Sequence, residues 1–432
     1  MNSFLKAFKC LVLGVCLSLF SAQTSQAVLK IPTVDIKNSI AINDVSELLD
    51  FTRFNDGWIV SGINDQNQSW VSRINQSGNS IWRVFPVIDG NGGDGFITAI
   101  GVDSQGILLA GISQREITVS AQSSPTPSLM PSPTSSPTPT PTPTPPSTKS
   151  PDRSIPLVNP DNVTPRTELP LREDLSNLFF VRLDLNGKLS SVINYKNSSL
   201  FVPNSIVSIN NDNFLSGNEQ VSEIGQRGAL YKFSNGSFAE SYSYGKSRTI
   251  FSKAIVNTSK TITIIGSSSE TIASRTAVGP SDGIILTISS VTGKVTKIVR
   301  SSAPGASRSW TSASGNLLVS GPSQTKSLKE SVITSFTAKG NVSWTSKYQK
   351  SDAVLANENC VAVSLIGQSA ALPFTSKGSE IFLYSVDSKG KILKGVRLPS
   401  QALIALTTSP GKANGCALLT YSSAAGARVS FL

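Results

Sequence analysis

Two short stretches decide the fold: GWIVSG at residues 57–62 and WVSRINQSGNSIWRV at residues 70–84. The first is an apolar strand that ends at Gly62, and the second is a hairpin with Gly78 in its turn. Glycine adopts positive φ angles at little cost, so a glycine between runs of alternating apolar residues favours a tight antiparallel hairpin. The two stretches therefore predict three consecutive antiparallel strands.

Both signatures recur along the chain. Apolar strands also end at Gly111, Gly217, Gly266, Gly321 and Gly367. Hairpins of the second type surround Gly187, Gly236, Gly293, Gly340 and Gly390. The turn glycines lie 47–57 residues apart once an insert of 54 residues between the first two is set aside. A period near 50 with β-type composition is typical of β-propeller blades.

Six full repeats are visible, and a partial seventh covers ALIALTTS (402–409), GCALLTYSS (415–423) and ARVSFL (427–432). This last repeat lacks an outer strand. At the other end of the chain, VLKIPTVDI (28–36) is a strand without a partner. We therefore predict an all-β propeller of seven four-stranded blades, closed by pairing between the N-terminal and C-terminal strands. A six-bladed ring and a split sandwich remain alternatives.

The phrases DGWIVSG and WVSRINQSGNSIW resemble bacterial secreted propeller repeats of the PQQ-like, kelch-like and WD40-like types. The resemblance covers most of residues 28–432 and implies a propeller in a secreted protein. A tryptophan follows the turn only at Trp82 and Trp344. The sequence has no adjacent-cysteine pair and no haem motif, so the quinoprotein dehydrogenase activity of some relatives is not implied. Resemblance of fold alone does not carry function.

The first 27 residues have the pattern of a secretory signal peptide. Lys6 and Lys9 precede an apolar run at residues 10–20, and small residues end at Ala27. Eleven apolar residues are too few to span a bilayer core of about 30 Å as a helix. The pattern predicts a secreted protein, extracellular or associated with the cell surface, without a transmembrane segment.

A Pro/Thr/Ser-rich insert occupies residues 121–174 and holds 15 of the 24 prolines. Such a composition cannot bury a core, so we expect this tract to be disordered. The repeat pattern continues on both sides, so residues 28–120 and 175–432 are predicted to form one propeller with the insert in a blade 2 loop. A spacer and an inert insertion are equally compatible with the composition.

Two cysteines remain after the leader, Cys360 in ENCVAV and Cys416 in NGCALL. They occupy matching places in successive repeats. An oxidising compartment favours a disulfide between them, whereas the distance between neighbouring repeats could exceed the limit of about 7 Å between Cα atoms. The sequence is therefore compatible with a disulfide between the two cysteines and with two buried free thiols.

Composition limits the chemistry. The chain contains no histidine, which excludes His-dependent catalytic triads and His-ligated metals and haem. Its two halves differ in charge, with a net charge of −5 for residues 28–245 and +14 for residues 246–432. A basic half favours an anionic polymer outside the cell as partner. Nucleic acid is not favoured, because no recognition motif is present and the lysines are scattered among serines and threonines.

The variable connections between the second and third strands of each blade indicate where a partner would bind. They are predicted at residues 115–177, 218–227, 267–282, 322–331 and 368–380. Variable loops on a rigid scaffold commonly carry binding sites. The charged candidates on these loops are Glu223, Arg275, Asp282, Lys326 and Lys329. No catalytic residue, metal site or cofactor is predicted.

The function predicted from these observations is non-catalytic binding of a protein or an anionic polysaccharide of the cell envelope by a secreted, monomeric propeller. Two alternatives stay open. One is a carbohydrate-active hydrolase or lyase that works without histidine. The other is a structural surface protein without a discrete ligand.

Overall fold

The chain folds into seven antiparallel sheets of four or five strands. The computed structural model describes residues 32–33, 39–42, 45–64, 66, 68–88, 95–120, 174–222, 225–367, 372, 374, 378–409 and 415–432. Seven apolar clusters each join one sheet to the next, and one of them joins the last sheet to the first. The protein is therefore a seven-bladed β-propeller, as predicted, and its core is divided among the junctions between blades.

The blades are numbered 1–7 in chain order, and the strands of each blade are called a to d from the central channel to the rim. The first strand, β1 (Ile40–Ile42), belongs to blade 7. Blade 1 contains β2 (Glu47–Phe54), β3 (Gly57–Ile63), β4 (Ser69–Asn75) and β5 (Ser80–Ile88). Blade 2 contains β6 (Gly95–Asp103), β7 (Gly106–Ser113), β9 (Asn177–Leu183) and β10 (Leu189–Lys196). Blade 3 contains β11 (Phe201–Ile209), β12 (Asp212–Gln220), β13 (Gln226–Ser234) and β14 (Ser237–Tyr244). The short β8 (Ile117–Ser120) adds a fifth strand to blade 1 beside β5.

Blade 5 differs from the others in strand a, which is divided into two short pieces. Blade 4 contains β15 (Thr249–Thr258), β16 (Thr261–Ser268), β17 (Asp282–Ser289) and β18 (Val295–Ser301), and blade 5 contains β19 (Ser307–Arg308) with β20 (Ser312–Ala313), β21 (Leu318–Gln324), β22 (Lys329–Phe336) and β23 (Val342–Gln349). Blade 6 contains β24 (Ser351–Asn357), β25 (Cys360–Leu365), β26 (Glu380–Val386) and β27 (Ile392–Pro399). Blade 7 contains β28 (Ala402–Thr408), β29 (Cys416–Ser422) and β30 (Gly426–Phe431), besides β1.

The ring closes through strands from both ends of the chain. Strand β1 pairs antiparallel with β30, with Ile40 opposite Val429. The prediction of closure is confirmed, but the closing strand is not residues 28–36. In that stretch the Pro32 carbonyl accepts a hydrogen bond of 3.0 Å from the backbone N–H of Arg397 on the outer strand of blade 6, and Thr33 forms a parallel bridge with the same residue.

The glycines of the apolar strands are explained by a bulge in strand a. In blade 2, β6 bulges just after Ile97, which is paired with Gly111. A Cβ on Gly111 would lie 1.9 Å from a carbonyl oxygen of β6, so a larger residue is excluded. The same arrangement recurs at Gly62, Gly217 and Gly266. In blade 6 the residue opposite the bulge is Leu365, so the expected match at Gly367 was wrong: that glycine lies beyond the end of β25.

The insert leaves blade 2 intact. Strand β7 pairs directly with β9 from Ser113 opposite Asn177 onwards, so the insert lies between strands b and c of this blade. The predicted leader, residues 1–27, and residues 121–173 of the predicted disordered tract lie outside the described residues. Among the described residues, no helix has the length and apolar character needed to cross a membrane.

Candidate binding surface on the loop face

The propeller has two faces of different character. One, called here the loop face, carries the connections between strands b and c and those between successive blades; the other, the turn face, carries the a–b and c–d turns. The b–c connections span residues 64–68, 114–176, 221–225, 269–281, 325–328, 366–379 and 423–425. Those of blades 3 and 5 are shorter than predicted, because the strands stay paired up to Gln220 with Gln226 and Gln324 with Lys329.

Arg275 projects from a rigid hairpin in the long loop of blade 4. Ile272 and Arg275 exchange two backbone hydrogen bonds of 3.1 and 2.9 Å, and the Ile272 side chain is buried. The two residues between them, Ala273 and Ser274, have φ angles of +46° and +62°. Non-glycine residues rarely adopt this conformation. The hairpin therefore holds Arg275, whose side chain is exposed, in a defined place.

The base of this loop is fixed to the connection between blades 3 and 4 by Glu270. Its carboxylate accepts hydrogen bonds from the N–H groups of Lys246 at 2.8 Å and Ser247 at 2.9 Å and from the Thr249 hydroxyl at 2.8 Å. Burial by itself would raise the pKa of Glu270, but these donors outweigh it, and the pKa lies below its ordinary value. The acid is thus used for holding the loops together.

The Asp282 carboxylate also bonds only to groups of the protein itself. Asp282 is the first residue of β17, is fully buried, and accepts hydrogen bonds of 3.0 Å from the N–H groups of Val278 and Gly279. Its carboxylate forms an ion pair with Arg300 at 3.2 Å. With no exposed surface, Asp282 holds the loop and is removed from the candidate contact set.

The ion pair between Asp282 and Arg300 has counterparts in the next two blades, which were not predicted from the sequence. An acid at the start of strand c pairs with a cation on strand d: Asp282 with Arg300, Glu330 with Lys347 at 3.5 Å, and Glu380 with Arg397 at 2.7 Å. Each acid lies ten or eleven residues before the turn glycine and each cation seven residues after it. That spacing was the available signal, because paired antiparallel strands bring such positions together.

The exposed cations on the loop face of blades 4 and 5, unlike the cations of these ion pairs, have no acidic partner among the described residues. Lys326 and Lys329 are exposed at the b–c connection of blade 5, as Arg275 is in blade 4. The neighbouring connections add further exposed cations to this face. The set comprises Lys246, Arg248, Arg275, Lys326, Lys329 and Lys350, and none of them has a carboxylate partner within the described part of the chain. One exposed carboxylate, Asp352, lies nearby on β24.

The remaining candidate, Glu223, lies outside the described residues. The loops around the cations are connected to each other. The backbone N–H of Ser269 donates to the Arg248 carbonyl at 3.2 Å, and that of Arg308 donates to the Ser281 carbonyl at 2.8 Å. The long loop of blade 4 is therefore attached to the connections on both sides of it. We call the six exposed cations, Lys246, Arg248, Arg275, Lys326, Lys329 and Lys350, the cation platform. Three of the predicted residues, Arg275, Lys326 and Lys329, belong to it.

Strand a of blade 1, the strand nearest the central channel, carries an acid with a raised pKa. Asp50 on strand a of blade 1 accepts hydrogen bonds from the N–H groups of Phe51 at 2.8 Å and Ile100 at 3.3 Å. Burial raises the pKa of Asp50 above its ordinary value, against the opposing effects of the Lys253 ammonium and of these two donors. Over the described residues, no group of three or more Cys, Asp or Glu side chains is placed to hold a metal ion.

Cys360 and Cys416 form a disulfide with a distance of 5.7 Å between their Cα atoms. Both cysteines begin strand b of their blades, β25 and β29, and both are fully buried. Of the two alternatives left open by the sequence, the structure has the disulfide. It joins blade 6 to blade 7, the blade that contains the closing strand.

The ends of the insert are held by a buried amide. The Asn177 side chain donates to the Ser113 hydroxyl at 2.8 Å, to the Arg115 carbonyl at 3.0 Å and to the Asn194 side chain at 3.1 Å. Asn194 in turn exchanges hydrogen bonds with the backbone of Ile117. Both asparagines occupy the positions that hold the ion pairs in blades 4–6. The chain is thus held near Asn177 both at residues 113–117 and where it re-enters blade 2, and from Ile117 strand β8 runs along the outer edge of blade 1 beside β5.

Comparison with known proteins gives no family and only remote structural likeness. The chain matches no protein-family model and no curated protein sequence. It is similar to the β-propeller domain of the Trilobed protease from Pyrococcus furiosus, with 10% identity, coverage of 89% of this chain and 94% of that one, and a TM-score of 0.41. A quinohemoprotein alcohol dehydrogenase from Pseudomonas putida shows 8% identity over 93% and 72% of the two chains, with a TM-score of 0.41.

An acylaminoacyl peptidase from Pyrococcus horikoshii shows 10% identity over 89% of this chain and 51% of that one, with a TM-score of 0.42. The class that the fold defines is the seven-bladed β-propeller. Likeness at this level transfers neither activity nor substrate, because propellers of one architecture serve unrelated functions.

Proposed function

We propose that the protein is a secreted, monomeric, non-catalytic propeller that binds an anionic polysaccharide of the cell envelope through the loop face of blades 4 and 5. One observation carries the proposal: on this surface four acids are engaged internally and Asp352 is exposed, whereas six cations are exposed. Asp282, Glu330 and Glu380 each face a basic partner, and Glu270 is surrounded by donors.

The engagement of the acids matters because the surface potential depends on which charges reach solvent. A buried ion pair contributes little net field, while exposed cations without partners attract a polyanion over about one Debye length, roughly 8–10 Å. The rigid hairpin under Arg275 keeps part of this charge in place. The proposal thus explains both the excess of basic residues in this half of the chain and their position.

The disulfide supports the proposed location outside the cytoplasm. Buried disulfides persist in oxidising compartments and are uncommon in reducing ones. The bond between Cys360 and Cys416 therefore agrees with the secretory pattern of residues 1–27. An envelope polymer would be accessible to a protein in that location.

Salt-dependent retention on immobilised heparin or alginate tests the proposal. The variant Arg275→Gln/Lys326→Gln/Lys329→Gln removes three charges from the loop face. At about 0.2–1 kcal/mol for each exposed contact, we expect roughly a tenfold loss of affinity at low salt and elution at lower salt concentration.

A matched control removes the same charge from the turn face. Lys389, Lys391 and Lys394 are exposed on blade 6, and replacing all three by Gln should leave the affinity nearly unchanged. Equal losses for both variants would show that retention reports total charge, and a larger loss for the control would move the site to the turn face. Polymer chain length measured after incubation distinguishes binding from hydrolysis or lyase activity, since turnover would contradict the non-catalytic proposal.

A further inference from the structure

On the turn face, neighbouring blades meet at one repeated position. The tryptophan four residues after a turn glycine lies against the turn glycine of the next blade. A Cβ on Gly187 would be 2.5 Å from the Trp82 ring, and one on Gly390 would be 2.6 Å from the Trp344 ring. The indole nitrogen of Trp344 also donates to the Ser388 carbonyl at 3.2 Å. An indole ring thus closes the junction between blades 1 and 2 and the one between blades 5 and 6.

Blade 4 has a lysine at this position; its side chain and that of Val299 lie against Gly340 of blade 5, and a cleft is open beside them. Lys297 lies four residues after Gly293, as Trp82 and Trp344 lie after their own turn glycines. The cleft between blades 4 and 5 has a volume of about 340 Å³, whereas the cavity beside Trp344 measures about 130 Å³. A volume of this size falls in the range of small-molecule sites.

The interior of the cleft is apolar and firmly held. Ile285 and Val299 of blade 4 face Leu317 and Phe336 of blade 5 across it. Leu317 has a φ of +57°, a conformation that is rare for a bulky residue and is kept only where surrounding contacts enforce it. Its N–H donates to the Ser314 carbonyl at 3.0 Å, and its carbonyl accepts from the Phe336 N–H at 3.1 Å. The cleft wall is therefore fixed before any ligand arrives.

The mouth of the cleft is positively charged. The Lys297 ammonium donates to the Ala338 carbonyl at 2.6 Å, which keeps it at the rim and leaves further N–H groups for a ligand. Lys339, which is exposed, lies between two residues that line the cleft. No carboxylate is among the described lining residues.

We propose that this cleft binds a small aromatic acid, with its ring against the apolar wall of Ile285, Val299, Leu317 and Phe336 and its anionic group on Lys297. The apolar wall and the cleft volume suit a ring, and the lysine at the mouth supplies the charge. This site lies on the face opposite the cation platform and does not depend on the function proposed for that platform.

Binding of indolepropionate and of neutral indole to the full chain, followed by ligand-observed NMR, tests the proposal. The wild-type protein should bind indolepropionate saturably and about fivefold more tightly than indole, the gain given by one exposed ion pair. Lys297→Gln should remove this preference while indole still binds. Lys297→Trp should abolish binding of both, because the added ring fills the cleft.

Ser191→Trp is the matched control. Ser191 takes the corresponding position in blade 2, beside a separate cleft of about 600 Å³, so this variant should bind both probes as the wild type does. Absence of saturable binding by the wild type, or unchanged binding by a folded Lys297→Trp, overturns the proposal. Loss of binding in Ser191→Trp would do the same. If Lys297→Trp does not fold, Lys297→Gln still tests the proposal: an unchanged preference for indolepropionate over indole in that variant would contradict it.

Discussion

The junctions between blades 1 and 2 and between blades 4 and 5 both place outer-strand side chains against the turn glycine of the next blade, but the side chains are Trp82 in the first and Val299 with Lys297 in the second. Trp82 fills the first junction and is 7% exposed, whereas Lys297 leaves a cleft of about 340 Å³ in the second. Both junctions keep a buried apolar cluster deeper in the ring. The buried cluster is thus common to both junctions, while the outer-strand side chains set how open the turn face is; at the junction between blades 3 and 4, Tyr242 covers Gly293 instead.

The largest effect is expected from opening a closed junction. Trp82→Ala should lower the free energy of unfolding by about 3–5 kcal/mol, because it removes a buried ring and leaves a cavity. Chemical denaturation measures this loss. Trp344→Ala is the companion variant, and its loss should be smaller because Trp344 is only half-buried. A loss below about 1 kcal/mol for Trp82→Ala would mean that the ring does not support the junction.

The junction between blades 6 and 7 is closed by a covalent bond, which gives the second prediction. Replacing both Cys360 and Cys416 by Ser should lower the free energy of unfolding by about 2–4 kcal/mol, since the bond closes a loop with a sequence separation of 56 residues. Denaturation of the wild type with and without reductant should show the same difference. If the reduced wild type is as stable as the oxidised form, strand β1 closes the ring without help from the disulfide.

The sequence predicted the features that repeat. Turn glycines and apolar strands recur because each blade needs the same hairpin geometry, and their period gave the blade number, the closure by both termini and the long loops. The disulfide was one of two alternatives, since spacing alone could not fix the distance between neighbouring repeats. The closing strand was placed too early: Thr33 in the apolar run around Pro32 bridges to blade 6, and the strand that pairs with β30 follows it at Ile40–Ile42.

The candidate site was only partly predictable, for a different reason. Arg275, Lys326 and Lys329 are exposed on loops, as their polar surroundings suggested. Asp282 was expected on the surface but is buried, because it accepts N–H groups from its own loop and faces Arg300. Its role depends on pairing across strands, and no property of the residue itself shows that.

Filling an open junction is the third test of the comparison. Lys297→Trp and Ser191→Trp should each raise the free energy of unfolding by about 0.5–2 kcal/mol, the usual gain from filling a cavity. Thermal denaturation measures the change. Lys394→Trp is the control, because blade 7 takes its outer strand from the N-terminal segment and has no c–d turn glycine to receive the ring. If Lys394→Trp raises the free energy of unfolding as much as the other two variants do, the effect comes from added surface hydrophobicity and not from filling a junction.

The open junction between blades 2 and 3 is bridged by polar groups, and its stability should therefore depend on pH. In this cleft Arg182 makes two hydrogen bonds of 2.9 Å to Asp103 of its own blade and one of 3.3 Å to Asn213 of blade 3. Burial alone would raise the pKa of Asp103. The hydrogen bonds from Arg182 and from the Gln105 N–H outweigh that effect and lower the pKa below its ordinary value of 3.8.

Since the folded-state pKa of Asp103 is lowered, its contribution is complete above about pH 4 and is lost as the pH falls through the folded-state value. For a partly exposed pair we expect about 1 kcal/mol or less. Asp103→Asn should lose this amount at pH 7 and show a shallower fall in stability from pH 5 to pH 3 than the wild type, measured by denaturation at each pH. Parallel pH profiles for the two proteins would mean that the pairing of Asp103 with Arg182 at this open junction adds nothing to the stability of the protein.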